Sequence, residues 1–184
     1  MRLLMTLNLL KCFDDCAAQS FSFFVAGKPE TQGSKSAFGR IYTDKDGRQR
    51  VMTAMVEQSK GLYAWRGAIG KVAAVMRPAG WKTDGIYALH ALFYMPRPKI
   101  HFNSRGQLKP GAPVFHTKAG DADKLLRACG DALTKICYDD DALIVAASSV
   151  KLFCQAGGVP GAHITVTRLD EQTAGGAVVA FAPV

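Results

Sequence analysis

The chain has 184 residues, 48% of them hydrophobic and 21% charged. That length suits one domain with a sizeable core, and the composition excludes disordered, collagen-like and coiled-coil architectures. No apolar run reaches the ~20 residues of a membrane-spanning helix, and a net charge of +8 favours a polyanionic partner such as nucleic acid.

Residues 1–20 hold a short apolar stretch interrupted by Lys11 and followed by Asp14 and Asp15. They read as an N-terminal extension rather than a secretory signal. The five cysteines, Cys12, Cys16, Cys129, Cys137 and Cys154, form neither a C-x-x-C pair nor a zinc spacing. They predict free thiols in a reducing, cytoplasmic compartment. Residues 21–26 read as a strand that ends at Gly27-Lys28-Pro29. A Gly/Ser-rich basic stretch, 31–40, has no periodicity. Residues 41–43 and 50–54 flank Asp46-Gly47, a hairpin-turn signal. Leu62, Trp65, Ile69, Val72 and Met76 recur at helical steps, so a helix is expected over 56–77, stopped by Pro78. Trp65 and Trp81 are expected in the core and at its edge.

Residues 86–95 alternate, with Tyr87, Leu89, Ala91, Phe93 and Met95 on one face of a strand. Residues 97–120 read as a long basic loop, the kind that is usually functional or mobile. His101 and His116 flank it, and each is expected in a structural hydrogen bond. A second helix is expected over 122–136. Two strands, 142–152 and 161–169, follow, joined by a Gly/Pro turn at 157–161. The mixture without strict alternation indicates an α+β fold. The boundaries divide the chain into the extension 1–20, a domain 21–169 and a low-charge tail 170–184.

The charge is partitioned. Residues 22–120 carry 16 basic and 5 acidic side chains, net +11; residues 121–141 carry 3 basic and 6 acidic, net −3. All six acids in that second segment are Asp. On the second helix, Leu125, Cys129, Ala132, Leu133 and Ile136 share one face, while Asp123, Arg127 and Asp131 fall four apart on the other. Read alone, Asp121 or Asp123 caps the helix and Asp123–Arg127 is an ordinary i,i+4 pair; Asp139-Asp140-Asp141 is a solvated turn. A following strand antiparallel to the helix is expected instead to bring Asp141 toward Asp121 and Asp123. Three convergent carboxylates would need a cation, and Mg²⁺, which takes oxygen ligands and keeps several waters, suits them.

The run His116-Thr-Lys-Ala-Gly-Asp121-Ala-Asp123-Lys-Leu-Leu-Arg127-Ala-Cys-Gly-Asp131-Ala-Leu, continued by Tyr138-Asp-Asp140-Asp141, resembles the core motif of the RusA family of Holliday-junction resolvases. Gly27-Lys28-Pro29 through Gln32-Gly33-Ser34-Lys35, Arg97-Pro98-Lys99-Ile-His101-Phe102 and Lys151 match further motifs in family order, so the resemblance spans about residues 23–168. It implies a small mixed β-sheet packed by two main helices, in a homodimer that cuts four-way DNA junctions of phage or prophage recombination and repair with Mg²⁺, Mn²⁺ being a substitute. It assigns Asp121, Asp123 and Asp141 to the metal and to catalysis, with Asp131 and Asp140 supporting. The family's catalytic Lys falls on Arg127, which cannot serve as a base. The family's Asn falls on Lys124 and its Gln on Leu143. Lys35, Arg40, Arg97, Lys99, Lys118, Lys124 and Lys151 are the expected DNA contacts. These departures leave a second reading open, a branched-DNA or duplex-binding protein without cleavage.

Overall fold

The computed structural model describes residues 19–33, 35–57 and 61–169, with the side chains of 35–38 and 53–57 left out. The extension before residue 19 and the tail from 170, with Cys12 and Cys16, lie outside the described residues. Among the described residues, six strands and two α-helices follow in the order β1 (Ser20–Ala26), β2 (Lys35–Thr43), β3 (Gln49–Glu57), α1 (Leu62–Met76), β4 (Ile86–Met95), α2 (Ala122–Leu133), β5 (Ile144–Phe153) and β6 (Gly161–Leu169). Strands β1, β6, β4 and β5 form a mixed sheet in that order, and β2 and β3 form a separate hairpin. The fold is α+β, as expected.

Strand β4 is the sheet's spine. Its alternation of apolar side chains appears as alternating burial along its whole length, with Tyr87, Leu89, Ala91 and Phe93 nearly inaccessible. Phe21, Phe23 and Val25 of β1 and Ala162, Ile164 and Val166 of β6 line up on the same face. Both helices cover that face. Leu62, Trp65, Ile69 and Ala73 turn inward from α1, and Leu125, Ala128, Cys129 and Leu133 from α2. Each large side chain withdrawn from water in this way contributes roughly 1.5–3 kcal/mol before entropy is counted. Burial also pushes the Cys129 and Cys137 thiols up to about 12, so both stay protonated. Both tryptophans are buried, and the Trp81 indole donates to the Cys137 carbonyl at 2.8 Å.

Several boundaries differ from the sequence expectation. Lys35–Arg40, which shows no periodicity, is the first part of β2, because its backbone pairs with β3 from Lys35↔Glu57 onward. The hairpin turn does form at Asp46-Gly47: Gly47 takes a φ of +77°, and the Asp44 carboxylate accepts from the N–H groups of Asp46 and Arg48 and from Arg50 Nε at 2.6 Å. Helix α1 starts at Leu62 rather than 56, since β3 continues to Glu57. Helix α2 ends at Leu133 rather than 136, because Lys135 adopts a left-handed φ of +66°. The chain then turns tightly, with the Ile136 and Cys137 N–H groups donating to the Leu133 carbonyl. Strands β5 and β6 are joined in sequence but not paired, because β4 lies between them.

The two helices cross at Gly70. A Cβ there would stand 3.1 Å from Ile136 Cδ1 and 3.5 Å from the Ala132 carbonyl oxygen, whereas a Cβ at Gly67, one turn earlier, would meet nothing within 4 Å. The pair gives a prediction with opposite signs. Gly67→Ala should raise the unfolding free energy in urea by about 0.5–1 kcal/mol through helix propensity. Gly70→Leu should lower it by about 1–3 kcal/mol through overpacking of the crossing.

Candidate active-site cleft

Parallel strands need a crossover connection, and between β4 and β5 that connection carries the long loop and α2. Helix α2 then runs antiparallel to β5. Its first residue accepts a hydrogen bond from Ser149 Oγ at the Ala122 carbonyl, while Gly130, near its end, faces Ile144 at the start of β5. The groove between them forms a pocket of about 240 Å³. Its apolar wall is built from Leu89, Leu126, Ile144 and Ala147, and its polar groups are Asp123, Arg127, Asp131 and Asp141.

Helical periodicity explains the set. Asp123, Arg127 and Asp131 follow one another at four-residue steps on the side opposite Leu125, Cys129 and Leu133, so burying one stripe aims the other at the groove. Asp141 arrives from a single 3-10 turn, Asp141–Leu143. Asp140 caps that turn, its carboxylate accepting from the Ala142 N–H at 2.9 Å. Asp140 therefore carries the turn that presents Asp141.

Asp121 stands apart. It lies two residues before Asp123, and residues two apart do not share a helix face. Its carboxylate is 61% exposed and forms an ion pair with Lys124 at 2.8 Å. The Lys124 hydrogen bond and charge hold the Asp121 carboxyl below the usual carboxylate range and raise the Lys124 ammonium in return. Of the expected convergence, Asp123 and Asp141 line one pocket and Asp121 is not part of its lining; the antiparallel strand begins beside the helix end and reaches the first helical residue only at Ser149. Among the described residues, no three His, Cys, Asp or Glu side chains stand close enough together to hold a metal ion. The pocket does offer carboxylate oxygens and no sulfur or imidazole, a donor chemistry that fits Mg²⁺ rather than a softer metal.

Asp131 is engaged elsewhere. It pairs with Arg66 of α1 at 3.6 Å and accepts a short hydrogen bond from the Gln32 amide. Gln32 and Arg66 are the residues near the cleft to which sequence reasoning gave no role. Arg66 flanks the buried stripe of α1 and lies 65 positions from its partner, so no local signal marks it.

The expected DNA contacts divide into two groups. Arg40, Lys99 and Lys118 are exposed, and the Lys35 side chain lies outside the described residues. Arg97 and Lys151 instead hold the chain together. Arg97 donates to the carbonyls of Cys154 at 2.6 Å and Pro113 at 2.9 Å and lies over the Phe153 ring. Lys151 donates to the Gly120 carbonyl at 2.6 Å and to Lys118 at 3.3 Å. The 97–120 loop is therefore tied along the outer edge of β5, where Phe115 bridges Leu152 and the His116 N–H donates to the Lys151 carbonyl.

His101 and His116 both stand edge-on to Phe153, at 4.8 Å between ring centroids. His101 Nδ1 lies 3.3 Å from the Arg97 guanidinium, and His116 Nδ1 is buried with no described partner. Among the described residues, no helix is long and apolar enough to cross a membrane.

The family model described as "Endodeoxyribonuclease RusA" matches residues 39–167, most of the chain, and no curated protein matches. The chain belongs to that family.

Burial first, then the charges of Lys151 and Lys118, depress the His116 imidazole. A folded pKa below the unfolded value favours the neutral ring, so the associated stability is present above about pH 6.5 and is lost as pH falls toward the folded pKa. NMR titration should give His116 a midpoint below the ordinary histidine value. The fall in thermal midpoint between pH 7.5 and 5 should be smaller in His116→Gln than in the wild type.

Proposed function

We propose that this member of the RusA endodeoxyribonuclease family is a Mg²⁺-dependent nuclease that cuts four-way DNA junctions as a homodimer, in recombination and repair. The observation that carries the reading is the meeting of Asp123, Asp141 and Arg127 in one pocket inside the family-matched span. The proposed metal ligands are Asp123 and Asp141, together with Asp121, which the family resemblance assigns. Bound there, Mg²⁺ would supply Lewis-acid activation of water and neutralise charge on the cleaved phosphodiester.

The chain's own groups divide the remaining work. Arg127 serves as a fixed hydrogen-bond donor and positive charge for phosphate oxygens, the role a guanidinium suits, and not as a base. Asp131, held by Arg66 and Gln32, keeps its orientation on the wall of the cleft. Lys151 fixes the loop that leads into Asp121. Arg40, Lys99 and Lys118 are the exposed cations proposed for the phosphate backbone, a type of contact that gives salt-dependent affinity with little sequence information. Two-fold symmetry of a dimer would offer one cleft to each of two opposing strands. The free thiols of Cys129, Cys137 and Cys154 are consistent with a reducing compartment such as the cytoplasm of a bacterial host.

A second reading, junction binding without cleavage, is favoured by one observation: the Asp121 carboxylate is paired with Lys124, which stands where the family has Asn. The readings separate on a synthetic four-way junction. The wild type should cleave it with Mg²⁺ and not with EDTA, and Asp123→Asn should cut at least about 100-fold more slowly while still retarding the junction in a gel. A wild type that binds the junction in EDTA and fails to cleave it whichever divalent metal is added selects the second reading.

A further inference from the structure

The segment between β1 and β2 does more than link strands. After Gly27 it crosses the starts of both helices. The Glu30 side chain packs at Gly61, the residue before α1, and the Thr31 methyl at Gly120, shortly before α2. Gln32 then makes three polar contacts. Its N–H donates to the Lys124 carbonyl at 3.1 Å, its side-chain amide donates to Asp131 Oδ2, and its side-chain carbonyl accepts from Arg66 Nη1 at 3.4 Å. The next residue, Gly33, has a φ of +105°, and a Cβ on it would stand 3.4 Å from Arg127 Nη1.

We propose that Gln32 is a positioning residue of the cleft. It locks the β1–β2 segment onto α2 at Lys124 in its first turn and Asp131 in its last, so that the Gly33 backbone forms one wall for the Arg127 guanidinium. The inference rests on the nuclease reading. The chemistry of the side chain selects it. A primary amide carries a donor and an acceptor on one carbon, so it bridges a carboxylate and a guanidinium at the same time. The Arg66–Asp131 pair shares the load by facing Asp131 with a cation from α1. Side-chain exposures of 32% for Arg66 and 25% for Asp131 place the clamp partly out of water, where such bonds are firmer than at an open surface. Gln32 touches no reacting atom in this arrangement. Its effect passes through Arg127, whose donors act only when aimed at the phosphate.

The test exchanges donor for acceptor. Gln32→Glu sets a carboxylate against Asp131, and adding Asp131→Asn restores a donor on the opposite side of the same bond. Gln32→Glu should lower kcat for junction cleavage about tenfold or more, with junction affinity in EDTA within about threefold of wild type. The Gln32→Glu/Asp131→Asn double variant should recover most of kcat, a rescue that a general loss of stability would not show. Hydrogen exchange supplies an independent readout. The amide of residue 32 should lose protection in the single variant and regain it in the double. Wild-type kcat in Gln32→Glu, or a double variant no better than the single, overturns the proposal while leaving the nuclease reading intact. A wild type that cleaves nothing ends the nuclease reading and the positioning role with it, and unchanged protection at residue 32 in Gln32→Glu then overturns the clamp as well.

Discussion

The antiparallel run of α2 along β5 decides where each charged group of the cleft stands. Once Leu125, Cys129 and Leu133 are buried against the sheet, the rotation of the helix has no freedom left, and Asp123, Arg127 and Asp131 must face the groove. Once β5 runs against the helix, the turn before the strand must deliver Asp141 to the same groove from the helix's far end. The apolar contacts supply the free energy. The polar groups inherit their positions from those contacts and do not select them.

The same constraint separates what the sequence makes legible from what it does not. Strand β4 could be read because every second side chain is apolar, and its burial follows that pattern residue by residue. The acidic residues could be named because Asp has few reasons to cluster in a basic chain. Their arrangement could not be read in the same way. Asp123 and Asp141 line one pocket, whereas the Asp121 carboxylate forms an ion pair with Lys124, and spacing along the chain does not distinguish the two outcomes. The first half of β2 was illegible for another reason: its strand character comes from the partner β3 and not from its own pattern. Arg66 and the contacts of Gln32 were illegible because their partner Asp131 is 65 and 99 positions away; the family-like run that contains Gln32 names no partner for it.

The Asp island carries little intrinsic stability, and the fold distributes its repulsion. Asp121 is neutralised by Lys124 and Asp131 by Arg66, while Asp140 uses its oxygen on a backbone N–H. Among the described contacts, Asp123, Asp139 and Asp141 make no ion pair or side-chain hydrogen bond; Asp123 feels the nearby Lys124 charge, and Asp123 and Asp141 open on the pocket.

Net charge overstated the basic surface for a related reason. Arg66, Arg77 and Arg97 each donate to groups within the fold, and Lys151 ties a loop. Three of these four are arginines, and the pattern follows from the side chains. A guanidinium offers five donors in a rigid plane, so it can satisfy two or three carbonyls while stacking on a ring, as Arg97 does on Phe153. An ammonium on a flexible stem is better suited to a phosphate chain whose position varies. Arg127 reverses this division by placing a guanidinium where the family resemblance implies a lysine. It exchanges a group that can give up a proton for one that cannot, and gains a planar donor set whose value depends on orientation. A wall such as Gly33 therefore matters more beside Arg127 than it would beside a lysine.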